Sequence, residues 1–194
     1  MQSFAAAYLT DSAAAAGALA ADTAAHATLQ SMATLILAAF AAGNRLLLAG
    51  NGGSAADCAH LAAEFQSRCH LDSAPLPAIN LAGEAAALTA FANDYGVAEI
   101  FARQIRALGR PGDVFLALST SGNSPNILAA LDAAGARGLT RLGFTGQTGG
   151  AMAPRCDHVL RAPSPRAQIV QQLHITAGHA LLGLIEHDRA GAQP

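Results

Sequence analysis

The stretch GNGGSAADCAHLAAEF, residues 50–65, carries Asn51 and Ser54 in a glycine-rich segment and then His60 and Glu64. On a helix, a spacing of four residues brings His60 and Glu64 within about 40° of one another on one face. An imidazole nitrogen and a carboxylate can then reach a common ligand, and both are suitable for zinc. Two ligands are not a site, however, and an isolated pair of this kind is more often a surface contact. The glycines ahead of the pair let the backbone approach an anion, and a following helix presents unpaired N–H groups and the positive end of its dipole.

A second segment, Ser119-Thr120-Ser121-Gly122-Asn123-Ser124, packs three serines and a threonine into six residues. Hydroxyls donate to phosphate oxygens without bringing fixed charge, so this composition suits a cradle for a small phosphorylated ligand. A turn with an N-cap at Ser124 accounts for the same residues at lower ambition. Neither loop ends in Gly-Lys-Ser/Thr, and GNGGS is not the spaced GxGxxG of dinucleotide sites, which disfavours ATP and NAD.

The final apolar segment, AQIVQQLHITAGHALLGLIEH, adds Gln171, His174, His179 and Glu186. On a helix, His174 lies roughly 60° to one side of Gln171 and His179 roughly 80° to the other. Gln171 can share a site with either histidine. The two histidines are about 140° apart and are not expected to share one, and helical geometry does not choose between them.

The elements that must hold these residues alternate. Short apolar runs at 45–49, 76–81, 114–118, 142–144 and 159–160 are separated by segments with helical character near 54–68, 84–91, 98–108, 124–135 and 165–187. This is the pattern of a parallel α/β sheet with crossover helices. Both chemistry-bearing loops follow strands, and in an open α/β sheet ligands bind beyond the carboxyl ends of the strands. Residues 3–43 read as two further helices, with Asp11 or Asp22 as caps and Gly43-Asn44 as the stop. These helices have no sheet within their own segment and must lie on the rest of the domain or on another subunit.

The chain has 194 residues, enough for one domain with an added helical arm. Its net charge of −2 gives no bulk attraction to nucleic acid or a membrane surface. Hydrophobic residues make up 52% and charged ones 12%, which leaves little polar surface for a monomer and points to a buried subunit interface. Three scattered cysteines, Cys58, Cys69 and Cys156, suggest reduced thiols rather than a disulfide framework. The alanine-rich N-terminus has no basic leader region and is interrupted by Asp11, Ser12 and Asp22, so the expectation is neither a signal peptide nor a spanning helix, and a cytoplasmic protein.

Taken in order, GNGGSAADCAHLAAEF, ANDYG, GDVFLALSTSGNSPNIL, GFTGQTGG and IVQQLHITAGH resemble the phosphoheptose isomerases, the sedoheptulose 7-phosphate isomerase branch of the sugar isomerase (SIS) family. The resemblance spans about residues 30–190. It implies an α/β three-layer sandwich, a five-stranded parallel sheet flanked by helices, with residues 44–194 as the SIS domain and 1–43 as an N-terminal helical arm used in oligomerisation. It further implies a homotetramer with active sites at subunit interfaces and one zinc ion per subunit, held by His60, Glu64, Gln171 and His179, with His174 left to packing or a supporting role. The family's phosphate contacts fall on Ser54, Ser119, Thr120, Ser121 and Ser124, and its sugar hydroxyl contacts on Asn51, Arg68, Asn93, Asp94 and Gln171.

The implied activity is aldose–ketose isomerisation of a phosphorylated seven-carbon sugar through a cis-enediol, supplying heptose for surface glycans. Glu64 is the expected base and His179 the partner acid/base, with zinc polarising the carbonyl. A bound cation lowers the proton affinity of its ligands, so these double roles conflict unless coordination is intermittent or the residues exchange roles when substrate binds. Residues 81–86, LAGEAA, depart from the more polar family pattern at that point, which touches sugar specificity rather than phosphate binding. The alternative is a non-catalytic tetrameric SIS adaptor that binds the replication initiator, a relative that lacks the acid/base pair present here. A sugar-phosphate-sensing regulator is disfavoured because the first 43 residues are too poor in Lys and Arg for a DNA-binding domain.

Overall fold

The computed structural model describes residues 2–191. Two N-terminal helices, α1 (Gln2–Ala21) and α2 (Thr23–Ala41), precede an alternating series. That series runs β1 (Leu46–Ala49), α3 (Gly53–Gln66), β2 (Ala78–Asn80), α4 (Ala85–Tyr95), a 3-10 turn at Val97–Glu99, α5 (Ile100–Leu108) and β3 (Val114–Ser119). It continues through α6 (Pro125–Ala136), β4 (Thr140–Gly146), a second 3-10 turn at Gly150–Arg155, β5 (His158–Ala162) and α7 (Ala167–Gly191).

The five strands pair in parallel in the order β2-β1-β3-β4-β5. Helices cover both faces, so β1 and β3 are buried along their whole length and read as continuous apolar runs rather than alternating ones. Alternate residues still point to opposite faces. Leu46, Leu48, Leu116, Leu118 and Phe144 pack with α2, α3 and α7, while Leu47, Ala49, Phe115 and Ala117 pack with α5 and α6. From β1 the chain crosses first to β2 on one side and later to β3 on the other. The order therefore reverses between β1 and β3, the place where open α/β sheets leave a crevice at the strand ends. The loops that leave these two strands are the glycine-rich and hydroxyl-rich segments.

Several element bounds differ from the sequence reading. β4 runs from Thr140 to Gly146 rather than over 142–144 alone, because it pairs with β3 from Thr140 onward and with β5 through Gly146. Arg141 fastens its start: the backbone N–H donates to Asp157 Oδ2 and the guanidinium to Oδ1, both at 2.7 Å. Asp22 caps α2, its Oδ1 accepting from the N–H groups of Ala24 (2.9 Å) and Ala25 (3.1 Å). Asp11 is no cap. It lies inside α1 and pairs with Arg166 at 3.1 Å.

Because Asp22 falls between the two helices instead of interrupting one, α1 and α2 are each long and apolar enough, by length and composition alone, to cross a bilayer. α2 uses its apolar face inside the protein, where Met32 and Ile36 are fully buried against the sheet side that also receives α7. α1 is mostly exposed and is tied to α7 by Ser12 Oγ, which donates to Gln172 Oε1 at 2.6 Å.

His174 of α7 is 0% exposed, with its Nε2–H donating to the Thr145 carbonyl at 3.2 Å and its ring beside Phe144. Burial pushes the imidazole pKa down to about 4, against a smaller upward pull from the Thr145 carbonyl. The folded value lies below the unfolded one of about 6.5, so below that pH the unfolded chain binds the proton that the fold refuses. Stability from this group is full above about pH 6.5 and is lost as pH falls toward 4. Between pH 7 and pH 5 the expected loss is about 2 kcal/mol. Urea melts at the two pH values check this, and His174→Gln, which keeps a donor for Thr145 but does not titrate, is expected to show the smaller difference.

Candidate active site

His60 and Glu64 lie one turn apart on α3, the helix that leaves the first loop, and His179 faces them from α7. His60 Nε2 is 3.1 Å from Glu64 Oε1, His179 Nε2 is 3.3 Å from Glu64 Oε2, and the two Nε2 atoms are 3.2 Å apart. The approach of the two helices depends on the residue before His179. A Cβ on Gly178 would stand 2.6 Å from Leu61 Cδ2, so a larger side chain would force either the buried Leu61 side chain or α7 itself to shift. Sequence reasoning passed over this glycine; its signal is a small residue inside a helix that otherwise needs none.

The three groups could hold a metal ion, since their ligand atoms lie within 4.8 Å of one another. The fit is closer than that limit. Ligands on a tetrahedral zinc at about 2.0–2.1 Å stand about 3.3–3.4 Å apart, close to the three separations here. The polar balance points the same way: Glu64 Oε2 is buried and, despite the nearby imidazole, receives no aligned hydrogen bond. Two imidazole nitrogens and a carboxylate converging to 3.1–3.3 Å is an arrangement that a cation satisfies.

His174 cannot join this group, being held in the core by Thr145. Gln171 lies two turns before His179, and its amide covers the start of α3: a Cβ on Gly53 would be 2.5 Å from Gln171 Nε2. The Gln171 side chain makes no hydrogen bond among the described residues, leaving both ends of its amide available.

The two loops are fastened to each other. Asn51 Nδ2 donates to Asn126 Oδ1 at 2.9 Å and Asn126 Nδ2 donates back to Asn51 Oδ1 at 2.8 Å, a closed amide pair across the β1/β3 crevice. Asn126, 4% exposed in the first turn of α6, is a site residue that sequence reasoning missed, because its partner lies 75 positions away. Asn126→Leu removes the pair while keeping the volume. It is expected to raise KM for a phosphorylated substrate about tenfold, the loss of one or two hydrogen bonds, with kcat changed little. Steady-state kinetics separate the two constants.

Ser124 occupies the N-cap position of α6, yet its side chain makes no capping hydrogen bond. Its hydroxyl is instead 3.2 Å from that of Ser119 at the end of β3. Ser54 is buried in the first turn of α3. Ser121 is exposed, its Oγ accepting from the Asn123 N–H at 3.1 Å, and Thr120 is half-buried, its carbonyl accepting from the Gly146 N–H. Gly122 stands at φ +66°, and its carbonyl accepts from the Met152 N–H at 2.9 Å. The loop after β4 thereby braces the hydroxyl loop from behind.

Arg68, Asn93 and Asp94 are exposed. Asn93 Nδ2 donates to Asp94 Oδ1 at 2.8 Å in the last turn of α4. Among the described residues, no hydrogen bond or ion pair joins Arg68, Asn93 or Asp94 to the other candidate site residues.

Comparison with known proteins bears on the family and the fold. The SIS domain family model matches residues 8–146. The phosphoheptose isomerase of Burkholderia pseudomallei (strain 1710b) is 47% identical over 190 residues, covering 96% of each chain. Among solved structures, the phosphoheptose isomerase of Neisseria gonorrhoeae superposes with a TM-score of 0.87 at 38% identity, covering 96% of this chain and 98% of that one. The phosphoheptose isomerase of Francisella tularensis gives 0.88 at 32% identity with the same coverage.

Proposed function

The chain belongs to the SIS-domain family and is a sugar-phosphate isomerase of the phosphoheptose isomerase group, and from that premise we propose its reaction: conversion of D-sedoheptulose 7-phosphate to D-glycero-D-manno-heptose 7-phosphate through a cis-enediol. The observation that carries the proposal is the convergence of His60, Glu64 and His179 to 3.1–3.3 Å on the helix that leaves the crevice loop and the helix packed beside it. One carboxylate and one imidazole, set side by side, match what a 1,2-proton transfer needs.

In this reading Glu64 removes a proton from C1 of the ketose while the C2 oxygen gains one, giving the enediol. Return of a proton to C2 and loss of the O1 proton then leave the aldehyde at C1. His179 carries the proton between the oxygens. A zinc ion held by His60, Glu64, Gln171 and His179, one per subunit, would supply Lewis acidity toward the carbonyl oxygen. Ser54, Ser119, Thr120, Ser121 and Ser124 bind the 7-phosphate through hydroxyl and backbone donors. Asn51 and Gln171 contact sugar hydroxyls.

The exposed Arg68, Asn93 and Asp94 complete the sugar site in a homotetramer with active sites at subunit interfaces. Residues 1–43 form the arm that builds it on a domain comprising 44–194. The mostly exposed, apolar α1 supports that role, as do the exposed side chains of Tyr95 and Val97 beside Asp94. The protein works in the cytoplasm, and its product feeds surface glycans.

The test is incubation of the purified, zinc-loaded protein with sedoheptulose 7-phosphate, followed by NMR for the aldose. Turnover is expected, with none on unphosphorylated sedoheptulose. Absence of turnover, together with tight binding to a replication initiator, would overturn the reading in favour of the adaptor.

A further inference from the structure

The turn that leaves α3 is held by a carboxylate of α7. Glu186, 2% exposed, accepts three consecutive backbone N–H groups: Cys69 on Oε1 at 2.9 Å, His70 on Oε2 at 2.8 Å and Leu71 on Oε2 at 3.0 Å. These backbone donors are part-buried, and one side chain serves all three. Burial pushes the Glu186 carboxyl up, but the three donors and the nearby His70 outweigh it and hold the group below its usual range.

This clamp lies on the two helices that carry the candidate metal ligands. Its turn begins just past α3, which bears His60 and Glu64, and its carboxylate is two turns beyond His179 on α7. The same turn reaches back to the ligand residue: His70 Nε2–H donates to the His179 carbonyl at 3.2 Å. The ring of His70 also lies against Gly183, between His179 and Glu186. Gly178 permits the close approach of α3 and α7; Glu186 and His70 fix it from the other end.

We propose that Glu186 is a positioning residue for the metal cluster, clamping residues 69–71 to α7 so that His60, Glu64 and His179 stay at ligand separation. The proposal rests on the zinc reading of that cluster. Groups that orient metal ligands typically contribute 10- to 100-fold in metal affinity. Glu186→Gln keeps the shape but puts an amide NH2, a donor, where one carboxylate oxygen accepted, and removes the charge that attracts the three N–H groups.

The experiment is zinc titration of the full-length protein against a chromophoric chelator. Wild type is expected to hold one zinc per chain, and E186Q to bind it about 10- to 100-fold more weakly. The control is Arg189→Ala, which frees the later part of the same segment by removing the hydrogen bond to the Ala74 carbonyl and is expected to leave zinc affinity unchanged. Equal affinity of E186Q and wild type, or an equal loss in R189A, overturns the proposal. A wild type that binds no zinc overturns the zinc reading and the clamp's role with it. If E186Q does not fold, hydrogen exchange on the wild type decides. Coupling is reciprocal, so zinc is expected to slow exchange of the 69–71 amides, and unchanged exchange overturns the clamp.

Discussion

Glu64→Gln is expected to lower kcat about 1,000-fold at saturating zinc, with the fold and assembly intact. An amide has nearly the volume of the carboxylate but cannot accept a proton, and general base catalysis is worth about 10²–10⁴. Glu64 also stands among the metal ligands, so a weaker metal site is the competing cause of any loss. Raising the zinc concentration separates the two: a loss due to the ligand role recovers, and a loss of the base does not. Steady-state rates across a zinc titration, with circular dichroism as the check on folding, make the measurement. Recovery of full activity would remove the base from Glu64 and leave it a ligand only.

The second large effect is expected from Gly122→Ala. Gly122 lies at φ +66°, where an alanine costs about 1–2 kcal/mol. Its Cβ would also meet the Gly149 carbonyl oxygen and stand 2.9 Å from Thr145 Oγ1. Relief requires the loop after β4 to move, and that loop holds Gly122 through Met152 and Thr120 through Gly146. A total of about 3 kcal/mol is expected, or roughly 10 °C in Tm for a chain of this size. The hydroxyl loop shifts with it, so KM for the phosphosugar should rise even where the folded fraction is complete. Thermal melts with and without inorganic phosphate check both effects; an unchanged Tm would contradict the described packing of the two loops.

What the sequence made legible follows from what is local. The five strands and their crossover helices could be read from short apolar runs, because a strand buried on both faces has an unmistakable composition, as in VFLALS. The ends of β4 could not, since pairing through Thr140 and Gly146 depends on neighbours, and Arg141 finds Asp157 only once β5 is in place. Asp11 and Asp22 looked alike as caps. Only the backbone break after Ala21 distinguishes them.

The candidate site divides in the same way. The i, i+4 pair His60–Glu64 and the hydroxyl loop announce themselves by spacing and type. Helical angles about Gln171 left His174 and His179 open, and tertiary packing separates them, burying one against Thr145 and setting the other beside Glu64. Asn126, Gly178 and Glu186 act on partners 75, 117 and 117 residues away, so their roles are written in no local pattern.

The central claim is that this cluster moves a proton between neighbouring carbons of a seven-carbon sugar phosphate. The most direct measurement is ¹H NMR of sedoheptulose 7-phosphate with the zinc-loaded wild type in D₂O, with E64Q run in parallel. The account predicts aldose 7-phosphate formed by the wild type and about 1,000-fold more slowly by E64Q, with deuterium at C2 in those turnovers in which the proton on Glu64 exchanges with solvent before its return. No conversion by the wild type, or conversion by E64Q at the wild-type rate, would contradict it.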